Sequence, residues 1–155
     1  LTLAVDLSAV FFMSRAAIPV MKRQGGGAIV NTASELAIVA TRNQAAYCAA
    51  KAGVLQFTKA MALDHARDGI RINAVCPGPI DGPRMDAIIE AKAQATAQTA
   101  LEVREQLEGE TLLGRLIPAE HIAEMVAFLA SDRASYISGT VVTIDGGMVN
   151  NNSIL

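Results

Sequence analysis

Tyr47 and Lys51 stand four residues apart in the stretch AAYCAAKAG, and Ser34 precedes them in the chain. On a helix, residues at i and i+4 lie on the same face, so the Lys51 ammonium can reach the Tyr47 phenol. A free tyrosine gives up its proton only near about pH 10, but an adjacent cation favours the phenolate and brings proton exchange toward neutral pH. A nearby serine hydroxyl can donate to a carbonyl oxygen or accept from an alcohol. The three side chains predict proton transfer at a substrate oxygen, although this Tyr and Lys spacing also occurs by chance.

Apolar runs and helical patterns alternate along the chain. They predict strands at residues 28–33, 70–78 and 140–144, and helices at residues 44–68 and 119–131. Long right-handed crossovers join such strands, so we expect an α/β fold in which helices flank a parallel sheet. Ligands bind at the carboxyl ends of strands in these sheets. Ser34, Tyr47 and the Pro77–Gly78 break should therefore line one edge.

Five ordered blocks run along the chain: VDLSAVFF at 5–12, IVNTAS at 29–34, YCAAK at 47–51, INAVCPGPI at 72–80 and VVTIDGG at 141–147. In order and spacing they resemble the classical short-chain dehydrogenases/reductases. The resemblance covers nearly the whole chain apart from residues 83–113. It is far more specific than any single block.

The resemblance implies an oxidoreductase that uses NAD or NADP to interconvert a secondary alcohol and a ketone by hydride transfer. Tyr47 would be the catalytic acid or base, and Ser34 would orient the oxygen of a small alcohol or carbonyl substrate. Lys51 would favour the phenolate and hold the nicotinamide ribose. The implied cofactor contacts are Tyr47, Lys51, Pro77, Gly78 and Ile80. Choice between NAD and NADP depends on a strand that this sequence does not contain.

The resemblance also implies a domain organisation. Residues 1–155 would be the C-terminal part of a single Rossmann-type catalytic domain, namely the second half of a doubly wound parallel sheet with three strands and flanking helices. The glycine-rich, phosphate-binding half would precede it, in the same polypeptide or in another chain. Residues 83–113, whose helical pattern runs from 83 to 110, would form a lid over the substrate.

Three positions depart from the family pattern. Asp6 stands where asparagine usually supports a helix irregularity and a water leading to the lysine, and a carboxylate could still bind that water. Its charge is expected either to pair with Lys51 or to weaken the effect of Lys51 on Tyr47, and the alternative is a solvated helix charge. Gly82 replaces a threonine that contacts the nicotinamide. The segment Glu35–Ala37 lacks the usual closing glycine.

Composition limits the partners. With 52% hydrophobic and 18% charged residues, the chain should bury helices on more than one side, as in a homodimer or homotetramer. A net charge of −2 provides no basic face for nucleic acid. Residues 3–21 are apolar around much of the helix, but Asp6, Arg15 and Pro19 interrupt them, which predicts a packed helix and no membrane span.

The remaining titratable residues predict no metal site. Cys48 and Cys76 have neither a metal-ligand spacing nor a disulfide framework, and they suit a reduced, cytoplasmic setting. His65 and His121 fall in the last and first turns of predicted helices and are expected to be structural.

Two alternatives stay open. A non-catalytic family member could act in oligomer assembly or ligand sensing, and Asp6 and Gly82 give that hypothesis some weight. An epimerase or dehydratase of the extended branch would share the Tyr47 and Lys51 pair, but the DGG ending at 145–147 argues against it.

Overall fold

A computed structural model describes residues 1–151. Its sheet contains the parallel strands β1 (Gly27–Thr32), β2 (Ile70–Pro77) and β3 (Val141–Ile144), in the order β1-β2-β3. Thr32 lies opposite Val75, and Pro77 lies opposite Ile144, so the carboxyl ends of all three strands form one edge. The three predicted strands are confirmed to within one residue.

Helices cover both faces of this sheet. Alternate residues of β2 point to opposite sides, so Ile70 and Ile72 pack on one face while Val75 packs on the other. The first face meets α1 (Ala9–Arg23) and α2 (Ala45–His65), and the second meets α5 (Ala119–Ala130). The buried contacts are Ile18, Met61 and Ala62 on the first face, and Ile117, Ile122 and Leu129 on the second. The molecule therefore has the three α/β/α layers expected from its alternating pattern.

Helix α2 carries two of the candidate site residues. Its sequence contains neither proline nor a β-branched run, and its α-helical part gives way to a 3-10 turn at Ala66–Asp68. Gly69 then adopts φ 70°, a left-handed conformation that glycine takes without a Cβ penalty. The predicted helix and its glycine cap are confirmed, with a tighter last turn.

The helical pattern at 83–110 forms two helices, α3 (Pro83–Thr96) and α4 (Ala100–Glu110). The break follows from local chemistry, because Ala97 takes a left-handed φ of 55° and Thr99 forms a capping box with Glu102. The pair has its own small core of Ile89, Ala93, Val103 and Leu116. It is a separate helical layer attached beside the carboxyl edge of the sheet.

The N-terminal helix is buried along one stripe within the described residues. A π-helical turn at Ala4–Ser8 leads into α1, of which only Ser14 and Ile18 are buried. Exposed apolar side chains follow its outer face: Phe11, Phe12, Met13 and Val20. The prediction of a packed helix therefore holds for one stripe only, since no residue within 1–151 covers the opposite face.

The same segment has the length of a membrane span. Ala4–Arg23, 20 residues long, is apolar enough to cross a bilayer by length and composition alone. That signal is weak, because core helices and signal sequences share it. Pro19 lies inside the helix, and Arg15 stacks near the rings of Phe11 and Phe12 at 5.8 and 5.3 Å from their centroids.

Candidate active site

Ser34 lies just beyond β1 at the carboxyl edge. The β1–β2 ladder continues one residue past β1, where Ala33 N–H donates to Val75 C=O at 2.8 Å. Ser34 is then extended and buried, and it caps a 3-10 turn at Glu35–Ala37. This placement brings its hydroxyl to the edge where ligands of parallel sheets bind.

Tyr47 and Lys51 occupy the first two turns of α2, which packs against the 3-10 turn that Ser34 caps. The Lys51 Nζ lies 5.6 Å from the centroid of the Tyr47 ring. The structure therefore places both side chains on one helix face, as the i,i+4 spacing requires. Tyr47 is half-buried, so its ring is held while part of it stays accessible.

Two oxygens hold the Lys51 ammonium. Its Nζ donates to the Thr32 carbonyl at 3.3 Å, and Asp6 Oδ1 also lies at 3.3 Å. Thr32 ends β1 and Asp6 lies in the π-helical turn. Lys51 therefore connects its own helix, α2, to both of these elements. Of the expectations for Asp6, the ion pair with Lys51 is the one observed. An ammonium has three N–H donors, one more than these two oxygens accept.

A buried hydrogen bond fixes β1 against α2. Asn31 Nδ2 donates to Thr58 Oγ1 at 2.8 Å, and both residues are buried. Since Ser34 follows β1 and Tyr47 lies on α2, this bond helps to set their relative positions.

The Ser34 hydroxyl already has a strong acceptor. Its Oγ donates to Glu35 Oε2 at 2.6 Å and accepts from Leu36 N–H at 3.2 Å. Burial raises the pKa of the Glu35 carboxyl, repulsion from Asp145 adds to that shift, and the hydrogen bond from Ser34 opposes it. Sequence reasoning noted Glu35 only as a departure from the family pattern. A carboxylate directly after the candidate serine was the signal that could have identified it.

The turn after β2 is rigid. Gly78 N–H donates to Ile144 C=O at 2.9 Å, and a Cβ at Gly78 would lie 2.7 Å from the Asp145 Cα. Further along, Ile117 N–H donates to Pro79 C=O and Asp81 N–H donates to Ile117 C=O, both at 2.9 Å. Ile80 therefore sits in a braced strand-like segment. Pro77, Gly78 and Ile80 line the same edge as Ser34.

Asp145 stabilises the neighbouring turn after β3. Its carboxylate accepts from Gly147 N–H at 2.9 Å and from Val149 N–H at 2.8 Å. Gly146 and Gly147 both have positive φ, 63° and 84°. This is the tight turn expected from the DGG sequence.

An arginine that the sequence did not single out links the helical layer to the site. Arg104 Nη2 lies 2.9 Å from Asp81 and 3.1 Å from Asp86, and Nη1 lies 3.5 Å from Glu108. Arg104, Asp81 and Asp86 border an open cavity of about 450 Å³ beside Gly82. Glu108 is a local i,i+4 partner, but Asp81 and Asp86 are distant in sequence, so no local pattern could have revealed the whole cluster.

Within residues 1–151, no group of three His, Cys, Asp or Glu side chains is arranged to hold a metal ion. His65 Nδ1 lies 2.9 Å from Asp68, and His121 Nδ1 lies 3.7 Å from Glu124. Each histidine thus lies beside a carboxylate three residues further along the chain. Cys48 and Cys76 are free thiols.

A parallel α/β sheet whose carboxyl edge presents a serine and a tyrosine and lysine pair is the architecture of a Rossmann-type oxidoreductase. A family model described as enoyl-(acyl carrier protein) reductase matches residues 1–149. Meso-2,3-butanediol dehydrogenase from Serratia marcescens is 41% identical over 143 residues, which are 92% of this chain and 52% of that protein. The chain belongs to the short-chain dehydrogenase/reductase family.

Solved structures agree with this assignment. Levodione reductase superimposes with a TM-score of 0.88 at 38% identity, covering 96% of this chain and 57% of the other. Actinorhodin polyketide ketoreductase, crystallised with NADPH as an F189W variant, gives a TM-score of 0.88 at 32% identity, covering 94% and 56%. The chain thus spans about half the length of the relatives it matches.

Proposed function

We propose that the protein containing this chain is an NAD- or NADP-dependent oxidoreductase that interconverts a secondary alcohol and a ketone, with Tyr47 as acid/base. The observation that carries the proposal is the Lys51 ammonium 5.6 Å from the Tyr47 ring centroid, at the carboxyl edge of the sheet. Family membership supports the reaction class. We also propose that residues 1–155 form the C-terminal part of a single catalytic domain.

The donor set fits a nicotinamide ribose. Lys51 keeps one N–H beyond those directed at Thr32 and Asp6, and the braced segment from Pro77 to Ile80 offers a firm wall nearby. A bound nicotinamide supplies or accepts the hydride at the substrate carbon. We assign Tyr47, Lys51, Pro77, Gly78 and Ile80 to its binding.

The residues of this chain handle the proton. In alcohol oxidation, the Tyr47 phenolate accepts the hydroxyl proton as the carbonyl forms, and in ketone reduction the phenol returns it to the oxygen. The Lys51 ammonium stabilises the phenolate by its charge. Ser34 holds the substrate oxygen by a hydrogen bond that strengthens as negative charge develops there.

The names of the relatives suggest a small alcohol or ketone as substrate, and α3 and α4 are proposed as the substrate lid within residues 83–113. A homodimer or homotetramer is proposed from the apolar groove of about 290 Å³ between α1 and α2, which includes Phe11, Phe57 and Met61. The free thiols Cys48 and Cys76 are consistent with a cytoplasmic location.

The test uses the full-length protein, with meso-2,3-butanediol, its two-electron oxidation product acetoin and the diketone diacetyl as probes and nicotinamide absorbance as the readout. Tyr47→Phe should lower turnover by about 10²- to 10⁴-fold while cofactor affinity, measured by titration calorimetry, is kept. Tyr136→Phe is the matched control, since Tyr136 is fully exposed. Equal turnover in Tyr47→Phe and the parent would overturn the mechanism. Cofactor binding without turnover of any alcohol or ketone would support the non-catalytic alternative.

A further inference from the structure

While Glu35 accepts its hydrogen bond, the Ser34 hydroxyl has no proton free for a substrate. A hydroxyl has one proton and two acceptor sites. The proton points to Glu35 Oε2 at 2.6 Å, and one acceptor site takes the Leu36 N–H at 3.2 Å. The remaining acceptor site can receive a hydrogen bond from an alcohol, but a carbonyl or alkoxide oxygen needs a donor.

Glu35 is held in a place where its charge is unfavourable. The side chain is half-buried at the carboxyl edge, and burial is the main reason why its pKa lies above the ordinary value. Asp145, from the turn after β3, repels the Glu35 carboxylate. The charges of Glu35 and Asp145 also act on the buried Cys76 thiol of β2. From α2, which packs against the 3-10 turn, Tyr47 and Lys51 face this edge.

We propose that Glu35 is a positioning residue that decides whether the Ser34 hydroxyl can donate to the substrate oxygen. The proposal rests on the proposed function of Ser34. The ionised carboxylate holds the Ser34 proton and withdraws it from the substrate. The neutral carboxyl can instead donate its own proton to the free acceptor site of Ser34, which releases the Ser34 proton toward the substrate oxygen.

This arrangement predicts a distinct pH dependence. In ketone reduction, kcat/KM should fall in two stages as pH rises. The first stage is the ionisation of Glu35, and the second is the loss of the proton that the reaction consumes. The first stage should be roughly tenfold, which is the rate change produced by losing about one ordinary hydrogen bond in the transition state.

The kinetic test measures kcat/KM for diacetyl reduction by the full-length protein from acid to alkaline pH. Glu35→Gln should abolish the first stage and keep the second, because a neutral amide cannot ionise. Glu35→Leu removes the side-chain acceptor altogether and should also abolish the first stage and keep the second. With two variants, the test remains possible if one of them folds poorly. Glu124→Gln is the matched control, since that side chain is 77% exposed, and it should keep both stages.

A second measurement does not depend on turnover. Infrared difference spectra between the parent and Glu35→Gln isolate the carbonyl band of protonated Glu35 as a function of pH. In Ser34→Ala, this band should persist to higher pH than in the parent, because the hydrogen bond from Ser34 favours the carboxylate. Circular dichroism verifies that each variant is folded.

The two proposals fail in different ways. If both stages survive in folded Glu35→Gln and Glu35→Leu, or if Ser34→Ala leaves the Glu35 titration unchanged, Glu35 does not position Ser34. If the parent reduces no ketone but Ser34→Ala shifts the Glu35 titration, the coupling stands and the assigned reaction fails.

Discussion

The Lys51 Nζ and Asp6 Oδ1 atoms lie 3.3 Å apart, and this pair ties α2 to the π-helical turn at Ala4–Ser8. The lysine side chain is only 12% exposed, while that of Asp6 is 27% exposed. Isolated π turns inside helices are frequent at functional sites. Here the turn brings a carboxylate to the cation on which the proposed proton transfer depends.

Replacing Asp6 tests how much that pair contributes. Asp6→Asn keeps an oxygen acceptor for Lys51, so turnover should stay within about threefold of the parent. Asp6→Leu removes the acceptor from a largely buried ammonium. We expect the free energy of unfolding to fall by about 1 kcal/mol and turnover to fall by roughly tenfold. Urea denaturation and nicotinamide absorbance measure the two effects. Equal behaviour of Asp6→Leu and Asp6→Asn would show that the pair is irrelevant to the lysine.

A double-mutant cycle should reveal a coupling free energy between Asn31 and Thr58, which share a hydrogen bond. Thr58→Val leaves a buried Asn31 amide without its acceptor and should lower the free energy of unfolding by about 2 kcal/mol. Asn31→Leu should cost a similar amount, and the double variant should cost less than the sum by about 1 kcal/mol. Turnover should fall in both single variants, because β1 carries Ser34 and α2 carries Tyr47. Additive effects on unfolding would mean that the two side chains do not interact.

The sequence predicted what local geometry determines. Strand periodicity located β1 to β3 to within a residue, helix periodicity located α2 together with its 3-10 last turn, and the i,i+4 rule placed Lys51 beside Tyr47. The break at Ala97 and the direction of the Ser34 proton depend on individual torsions that periodicity does not encode. The Arg104 cluster depends on tertiary contacts. An apolar pattern shows that a helix face needs a partner without showing where the partner is, so the sequence did not reveal that the outer face of α1 has none within residues 1–151.

Gly78 should tolerate no side chain. A Cβ there would lie 2.7 Å from the Asp145 Cα, a backbone atom that cannot turn aside. Gly78→Ala should therefore lower the free energy of unfolding by about 1–3 kcal/mol and shift the proposed nicotinamide wall, with a loss of turnover. Gly109→Ala is the matched control, because that position lies in α4 with nothing within 4 Å, and it should stabilise the protein by about 0.5–1 kcal/mol. A Gly78→Ala protein as stable as the parent would contradict the close packing of the two turns.

Asp68 should make stability depend on acid pH. Its Oδ2 lies 2.9 Å from both His65 Nδ1 and Lys22 Nζ, and these hydrogen bonds, that of His65 first, lower the pKa of the carboxyl. A lowered pKa in the folded state contributes stability that is present above the unfolded pKa, and this contribution disappears as pH falls through the folded value. Asp68→Asn should therefore be less stable than the parent at neutral pH, and the two should converge in strong acid. Thermal melts at several pH values measure this, and a difference that is constant with pH would contradict it.

Arg104 should hold the proposed lid in place. Its guanidinium bridges α4 to Asp81, next to the braced segment at Ile80, and to Asp86 in the first turn of α3. Each pair alone is partly exposed and weak, but one arginine shared among three carboxylates orders several side chains at once. Arg104→Met should raise KM for the probe substrate by roughly fivefold with little change in kcat, and proteolysis near residues 97–99 should become faster.

Arg104→Lys keeps the charge without the planar fork and should give an intermediate result. At high salt, the KM and the proteolysis rate of the parent should approach those of Arg104→Met, because salt screens exposed ion pairs. If Arg104→Met instead lowers kcat and leaves KM unchanged, the cluster acts on the chemical step and the helical layer is not a substrate lid.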